Sequence, residues 1–232
     1  MCVLDSFVYE FIYQKTMANK IIDLALSFDL VIFGGYLRDV EVCGMTQYND
    51  IDILWPNVPD RDSLFEKFMR VLELDNPGAV TKEYVQRHYG HNIASVTRVK
   101  VGDVSLDIVM YGGSVEDWMS AHDVDFSCNL FYRTRAVSLG LRYIPKCYEN
   151  TPNPVQEILE LTHAKKFRVI LELDDYNAWA RAINRGFEMV FARGWNVKGE
   201  FLDEYAEHSV TSESKMLGRR LAAIKASQSP GV

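Results

Sequence analysis

Cysteine is scarce and scattered: Cys2, Cys43, Cys128 and Cys147, with no CxxC pair, in 232 residues. That argues against a disulfide framework and against a cysteine-ligated zinc site. No apolar run approaches the roughly 18 residues that span a bilayer, so no membrane partner is expected. The N-terminus, MCVLDSFVYEFIYQK, carries Asp5 and Glu10 and lacks a basic segment followed by an apolar one, so it does not read as a secretory signal. There is no internal repeat and no low-complexity tract. These absences lead us to expect a soluble, cytoplasmic chain.

What is present is ordinary in amount and uneven in placement. Hydrophobic residues make up 48% and charged residues 25%, the usage of a globular protein with a sizeable core. The length suits one large domain, or one domain and a small extension. The net charge of −7 divides into −9 over residues 1–133 and +2 over residues 134–232. An acidic first half excludes a basic footprint over the whole protein. It fits a half that uses carboxylates for metal and a second half freer to meet a polyanion, although chance alone produces such asymmetry.

Hydropathy spacing predicts the elements. Apolar residues at helical intervals over 5–28 predict a long helix. Leu30 to Phe33 predicts a buried strand ending at Gly34-Gly35, and Tyr36 to Val42 a short helix closed near Gly44. Asp50 to Trp55 alternates polar and apolar and stops at Pro56, which predicts a strand. A helix is expected over 62–74, capped by Asp60 or Asp62 and stopped at Asn76-Pro77-Gly78. Strands follow over 79–87, 92–101 and 104–111, then a short helix over 115–121. From Pro154 the pattern turns helical, over 154–172, 175–193 and about 212–227, and the tail SQSPGV reads as frayed. The expected fold is α+β: residues 1–135 form a small mixed sheet flanked by helices, with the N-terminal helix, and residues 136–232 form a helical domain.

Three pieces carry chemistry. Gly34-Gly35 lies between a strand and a helix, with Arg38 one turn on. A phosphate could approach backbone N–H groups at that helix start, and Arg38 could add a fork of donors. Taken alone, such a turn is more often plain punctuation. Asp50-Ile51-Asp52 puts two carboxylates on one strand face, because the side-chain period is two. Side by side they repel and raise each other's pKa unless a cation lies between them; Mg²⁺ suits such hard oxygen ligands. Taken alone, the pair could be two exposed acids on an edge strand. Asp107 interrupts the apolar run Leu106-Asp107-Ile108-Val109. A metal shared with Asp50 and Asp52 would remove the cost of burying it; otherwise Ser105 and Asp107 face solvent while Leu106 and Ile108 face the core.

In this order the pieces resemble the nucleotidyltransferase superfamily that includes DNA polymerase β. They are most similar to the head domain of bacterial-type poly(A) polymerases and CCA-adding enzymes. The head pattern Gly-Gly-x-[Val/Leu]-Arg-Asp is met by Gly34-Gly35-Tyr36-Leu37-Arg38-Asp39, and Asp-[Ile/Leu]-Asp by Asp50-Ile51-Asp52. A third family motif, Arg-Arg-Asp-Phe-Thr-Ile-Asn-Ala, corresponds to Asp123-Val124-Asp125-Phe126-Ser127-Cys128-Asn129-Leu130. Asp125, Phe126 and Asn129 match, Ser127 replaces Thr, and Asp123 and Val124 stand where the family has arginines. The resemblance covers about residues 28–135.

The resemblance implies an Mg²⁺-dependent nucleotidyltransferase with a two-metal mechanism, in which Mn²⁺ could substitute. Asp50, Asp52 and Asp107 would be the catalytic carboxylates and metal ligands. Gly34, Gly35, Arg38, Asp39, Asp125 and Asn129 would bind nucleotide, ATP or CTP. The acceptor hydroxyl would most naturally be an RNA 3′ end, with RNA meeting the C-terminal helical part. A small molecule or a protein as acceptor, or a head that binds without turnover, are the alternatives.

Other residues have plainer readings. His88 and His91 are spaced as a possible metal pair but lack a third ligand. His122, His163 and His208 are isolated. Lys165, Lys166, Arg168, Arg181, Arg185 and Arg193 fall on expected helices, as cations that could track a nucleic-acid backbone or simply face solvent. The family's acidic-acidic-x-x-Arg helix motif is not matched at Asp174-Asp175.

Overall fold

The computed structural model describes residues 3–85, 92–170, 182, 185–186 and 188–197. The short apolar run after the first helix forms strand β1, Val31–Phe33. The alternating DIDILW segment forms β2, Ile51–Trp55. Then come β3 (Val80–Val85), β4 (Ile93–Val101), β5 (Val104–Tyr111), β6 (Phe131–Arg133) and β7 (Gly140–Leu141). These seven strands make one mixed sheet in the order β3-β4-β5-β2-β1-β6-β7. The β2–β5 pair is parallel and its neighbours are antiparallel. The sheet thus continues past residue 135, to Leu141.

Period two sorts the strands into two faces. Ile32, Ile51, Ile53, Trp55, Val99, Leu106 and Ile108 pack against helix α1 (Val3–Ser27) and helix α2 (Arg61–Asp75). From α1 come Ala18, Ile21, Ile22 and Ala25, and from α2 Phe65, Phe68, Met69 and Leu72. Trp55 meets Phe65 and Phe68 edge-on at 5.4 and 5.6 Å, and Phe28 meets Phe68 at 5.4 Å. Burying a side chain like Phe68 contributes about 2 kcal/mol by area alone. The opposite face is thinner: Val31, Leu54, Val96, Val109 and Tyr111 gather under Trp118 of helix α3, Val115–Ser120. Ser114 and Asp117 form a reciprocal capping box at the start of that helix.

Two expectations need correction. Asp60 does stand before α2, but its left-handed backbone (φ 56°) leaves its side chain without a capping hydrogen bond. The helix expected over 154–172 stops early. Helix α4 is Pro154–His163, capped by Asn153, whose side chain accepts from the Gln156 N–H. Lys165 then takes φ 52°, and Lys166–Phe167 form strand β8, parallel to β9, Asn196–Val197. Hence Lys165, Lys166 and Arg168 do not share a helix face. Phe167 enters a small third cluster with Phe126, Cys128, Ala182, Met189 and Trp195, and that burial overrides the helical spacing. Of the segment 175–193, Glu188–Ala192 is helical. The segment 212–227, the SQSPGV tail, Asp174-Asp175, Arg181, His88, His91 and His208 lie outside the described residues. Cys43, Cys128 and Cys147 are free thiols. No helix among the described residues is long and apolar enough to cross a membrane.

Candidate active site

The sheet builds the site by register. Phe33 pairs with Asp52 across the antiparallel β1–β2 ladder. Asp52 pairs with Asp107 across the parallel β2–β5 ladder, and Asp107 with Arg98 across β4–β5. One row therefore runs Phe33, Asp52, Asp107, Arg98, on the face opposite α1 and α2. Asp50 lies two residues before Asp52, just outside the strand, and is half-buried.

The first glycine of the turn is required there. Gly34 has φ +79°, and a Cβ at that position would come within 2.1 Å of Asp52 Oδ2. Only a residue with no side chain lets the backbone pass the carboxylate so closely. Gly35 has no such constraint, since its nearest neighbour would be an Arg38 nitrogen at 3.4 Å. Its N–H instead donates to Asp52.

Electrostatics mark the same spot. Burial, then repulsion from Asp50 and Asp107, pushes the Asp52 carboxyl up to about 7, against which the Gly35 N–H and the Arg185 charge pull only part of the way. Burial and Asp107 also raise Asp50, opposed by Arg98, Arg193 and Arg38. Crowded carboxylates held above their ordinary range are the charge pattern that a bound cation relieves.

The residues after the turn make a second cluster. Leu37–Val42 form a helical segment with wide, π-type turns, in which the Cys43 N–H donates to the Arg38 carbonyl at 3.1 Å. Arg38 is buried. Its Nε and Nη2 donate to both carboxylate oxygens of Asp39 at 2.7 and 2.6 Å, and Nη1 donates to Asn129 Oδ1 at 2.6 Å. Three of its five N–H groups are spent on these partners. Its guanidinium also lies over the Trp195 ring, 5.4 Å from the centroid. Burial alone would discourage the Arg38 charge; the Asp39 hydrogen bonds, together with the charges of Cys128, Asp39 and Cys43, more than offset it. Arg193 approaches Asp39 at 3.6 Å and Glu188 at 2.8 Å.

Asp125 is buried, and Arg185 Nη1 donates to it at 2.9 Å. Its loop is anchored by the Ser127 N–H to the Arg168 carbonyl and the Ile170 N–H to the Asp125 carbonyl, both at 2.9 Å. Asp123, which stands where the resembling family has arginine, is paired with Arg142 at 3.0 Å. Arg142 is buried on the face of Trp118, 3.9 Å from the ring centroid, and donates to the Trp118 and Ala121 carbonyls.

The structure thus gathers Gly34, Gly35, Asp50, Asp52 and Asp107 on one side, and Arg38, Asp39 and Asn129 beside them. Asp125 is joined to Arg185. Among the described residues no three His, Cys, Asp or Glu side chains form a group that could hold a metal ion. The donor chemistry and the repulsion at Asp50 and Asp52 fit a hard divalent cation. Asp107 is engaged instead by Arg98, which donates Nε to Oδ1 at 3.0 Å and Nη2 to Oδ2 at 3.2 Å.

The partners of two arginines of the site were not among the sequence expectations. Arg185 is 60 residues from Asp125, and no local pattern joins them. Arg98 had a readable signal: Val101-Gly102-Asp103-Val104 is a two-residue hairpin loop with Gly102 at φ +59°, and counting back from Val101 and Val104 places Arg98 opposite Asp107.

No protein-family model matches the chain, and no curated protein matches it by sequence. Solved structures do. A CCA-adding enzyme in complex with CTP is 14% identical, with a TM-score of 0.53 over 90% of this chain and 51% of its own. The Thermotoga maritima CCA-adding enzyme complexed with tRNA is 14% identical, with a TM-score of 0.52 over 90% of this chain and 50% of its own. The Bacillus stearothermophilus CCA-adding enzyme in complex with CTP is 14% identical, with a TM-score of 0.50 over 88% and 47%. The chain therefore has the fold of the matched part of these CCA-adding enzymes. It spans about half the length of those structures.

Proposed function

We propose that this protein is a nucleotidyltransferase that transfers a nucleoside monophosphate from an NTP to an acceptor hydroxyl, with an RNA 3′ end as acceptor. One observation carries the reading. The DxD strand and the Asp107 strand are laid side by side in register, against a glycine turn that no side chain could occupy. That combination suits a charged reaction centre. The solved structures of similar fold include complexes with CTP and with tRNA, which supports NTP and RNA as ligands here.

In the reaction, an acceptor oxygen attacks the α-phosphorus, its proton leaves to solvent, and the bond to the β-phosphate breaks to release pyrophosphate. Asp50 and Asp52, with Asp107 once freed from Arg98, would hold Mg²⁺ or Mn²⁺. Such an ion supplies charge neutralisation at the phosphates and acidifies the acceptor hydroxyl. Gly34 keeps the turn flat against Asp52, so that substrate reaches the carboxylates unobstructed. Arg38, rigidly held by Asp39 and Asn129, presents positive charge beside the turn where triphosphate would lie. Asp125, tied to Arg185, belongs to the loop that would meet the nucleotide.

Incubation of the purified protein with each NTP, Mg²⁺ and total RNA, followed by gel and mass analysis, tests this. RNA extended at its 3′ end by the wild type and not by a folded Asp52→Asn variant is the expected result. Label on protein or on a small molecule would reassign the acceptor. A folded Asp52→Asn protein with full activity contradicts the assignment, and the absence of any NTP turnover would leave a binding module.

A further inference from the structure

The row of carboxylates ends in a cation. Arg98 projects from β4 and covers both oxygens of Asp107 with a two-pronged pair, at 3.0 and 3.2 Å. The Arg98 side chain is 43% exposed and the Asp107 side chain 17%, so the guanidinium approaches from the solvent side. A pair this open to water is weak enough to exchange partners. A hard divalent cation requires the same carboxylate oxygens, and a guanidinium seated on both competes with it by charge and by space.

We propose that Arg98 is a built-in surrogate cation, seated on Asp107 in the metal-free protein, which a divalent ion must displace before Asp107 can join Asp50 and Asp52. The inference rests on the metal-dependent reading above. Asp107 lies in register with Asp52 and is engaged by Arg98. Displaced, Arg98 remains on the same sheet face, since its backbone is fixed in the β4–β5 ladder. Occupancy of the third ligand thereby becomes a competition between two cations.

The test is Mn²⁺ binding to the full chain, read from the free-ion signal in electron paramagnetic resonance, with no nucleotide and no turnover. Arg98→Gln removes the competitor and is expected to tighten Mn²⁺ about five-fold, the exchange equivalent of one exposed ion pair. In an Asp107→Asn background the same substitution should give no gain. Arg98→Lys keeps the charge but not the fork, so it should tighten binding only about two-fold. That variant also serves if Arg98→Gln does not fold, as judged by circular dichroism, and unchanged binding in it overturns the proposal. Unchanged or weaker binding by folded Arg98→Gln overturns it too, as does a gain that persists without Asp107. If the wild type binds Mn²⁺ and only the gain is missing, the Arg98 inference alone falls. If neither the wild type nor Arg98→Gln binds Mn²⁺, the metal-dependent reading falls with it.

Discussion

The two halves of the site are held in place by different means. The carboxylate row is positioned by backbone register: Asp52 and Asp107 are adjacent because β2 and β5 pair, whatever their side chains do. The arginine cluster is joined by side chains: the neighbours Arg38 and Asp39, with Asn129 and Arg193 from distant segments, hold one another by ion pairs and hydrogen bonds. A ladder of backbone hydrogen bonds tolerates substitution of the residues it presents. A side-chain network fails when one member is shortened. Oxygens on the sheet are thus fixed by the backbone, and charges in the network by one another.

The largest effect should come from the one point where the sheet does depend on a side chain. Gly34→Val places a branched carbon chain against Asp52 Oδ2 and forces a left-handed backbone on a β-branched residue. A loss of roughly 4 kcal/mol is expected in chemical denaturation. A variant as stable as wild type would mean that the turn is not pressed against the strand. Next comes the network. Arg38→Met strips both Asp39 and Asn129 of their donor inside the fold and should cost roughly 3 kcal/mol by the same measurement. As a loss of global stability, the cost should appear equally in the hydrogen-exchange protection of β2 and β5.

Asp52→Asn sharpens the comparison in the opposite direction. The Asp52 carboxyl is raised from 3.8 to about 7 in the folded protein, so the folded state binds the proton more tightly than the unfolded one. Ionised Asp52 therefore costs stability, and stability falls as pH rises from about 4 to about 7. Asparagine removes that cost. The variant should melt higher than wild type at pH 8, by roughly 2 kcal/mol after allowance for solvent screening, with the advantage fading as pH falls toward 4. A wild-type melting temperature that does not change across this window would show that the carboxylates do not repel. The smallest effect belongs to Arg185→Ala. Arg185 is 65% exposed and Asp125 has other interactions, so less than about 1 kcal/mol should be lost.

Much of the carboxylate half was legible in the chain. The strand before Gly34-Gly35, the alternating DxD strand and the strand around Asp107 lie where hydropathy spacing puts them, because each has a strong period and a clear stop. The network half was less so. Arg38, Asp39 and Asn129 stand in readable motifs, but nothing local shows that Arg38 is locked between the other two. The stretch after Pro154 read as a long helix and is broken at Lys165, where burial of Phe167 among Phe126 and Trp195 outweighs helical spacing. That break sends Arg168 to pair with the 125–127 loop instead of continuing a helical face.

By itself the sequence determined that a strand carries Asp52 with Asp50 just ahead of it, and that a glycine turn precedes both, since these follow from the pattern of one short segment. Only the tertiary structure decided which distant strands become neighbours: β5 comes to lie beside β2, Asp107 meets Asp52, and Arg185 reaches Asp125. Local spacing fixes the direction in which a side chain points, whereas its partner is chosen by burial of apolar faces between segments far apart in the chain.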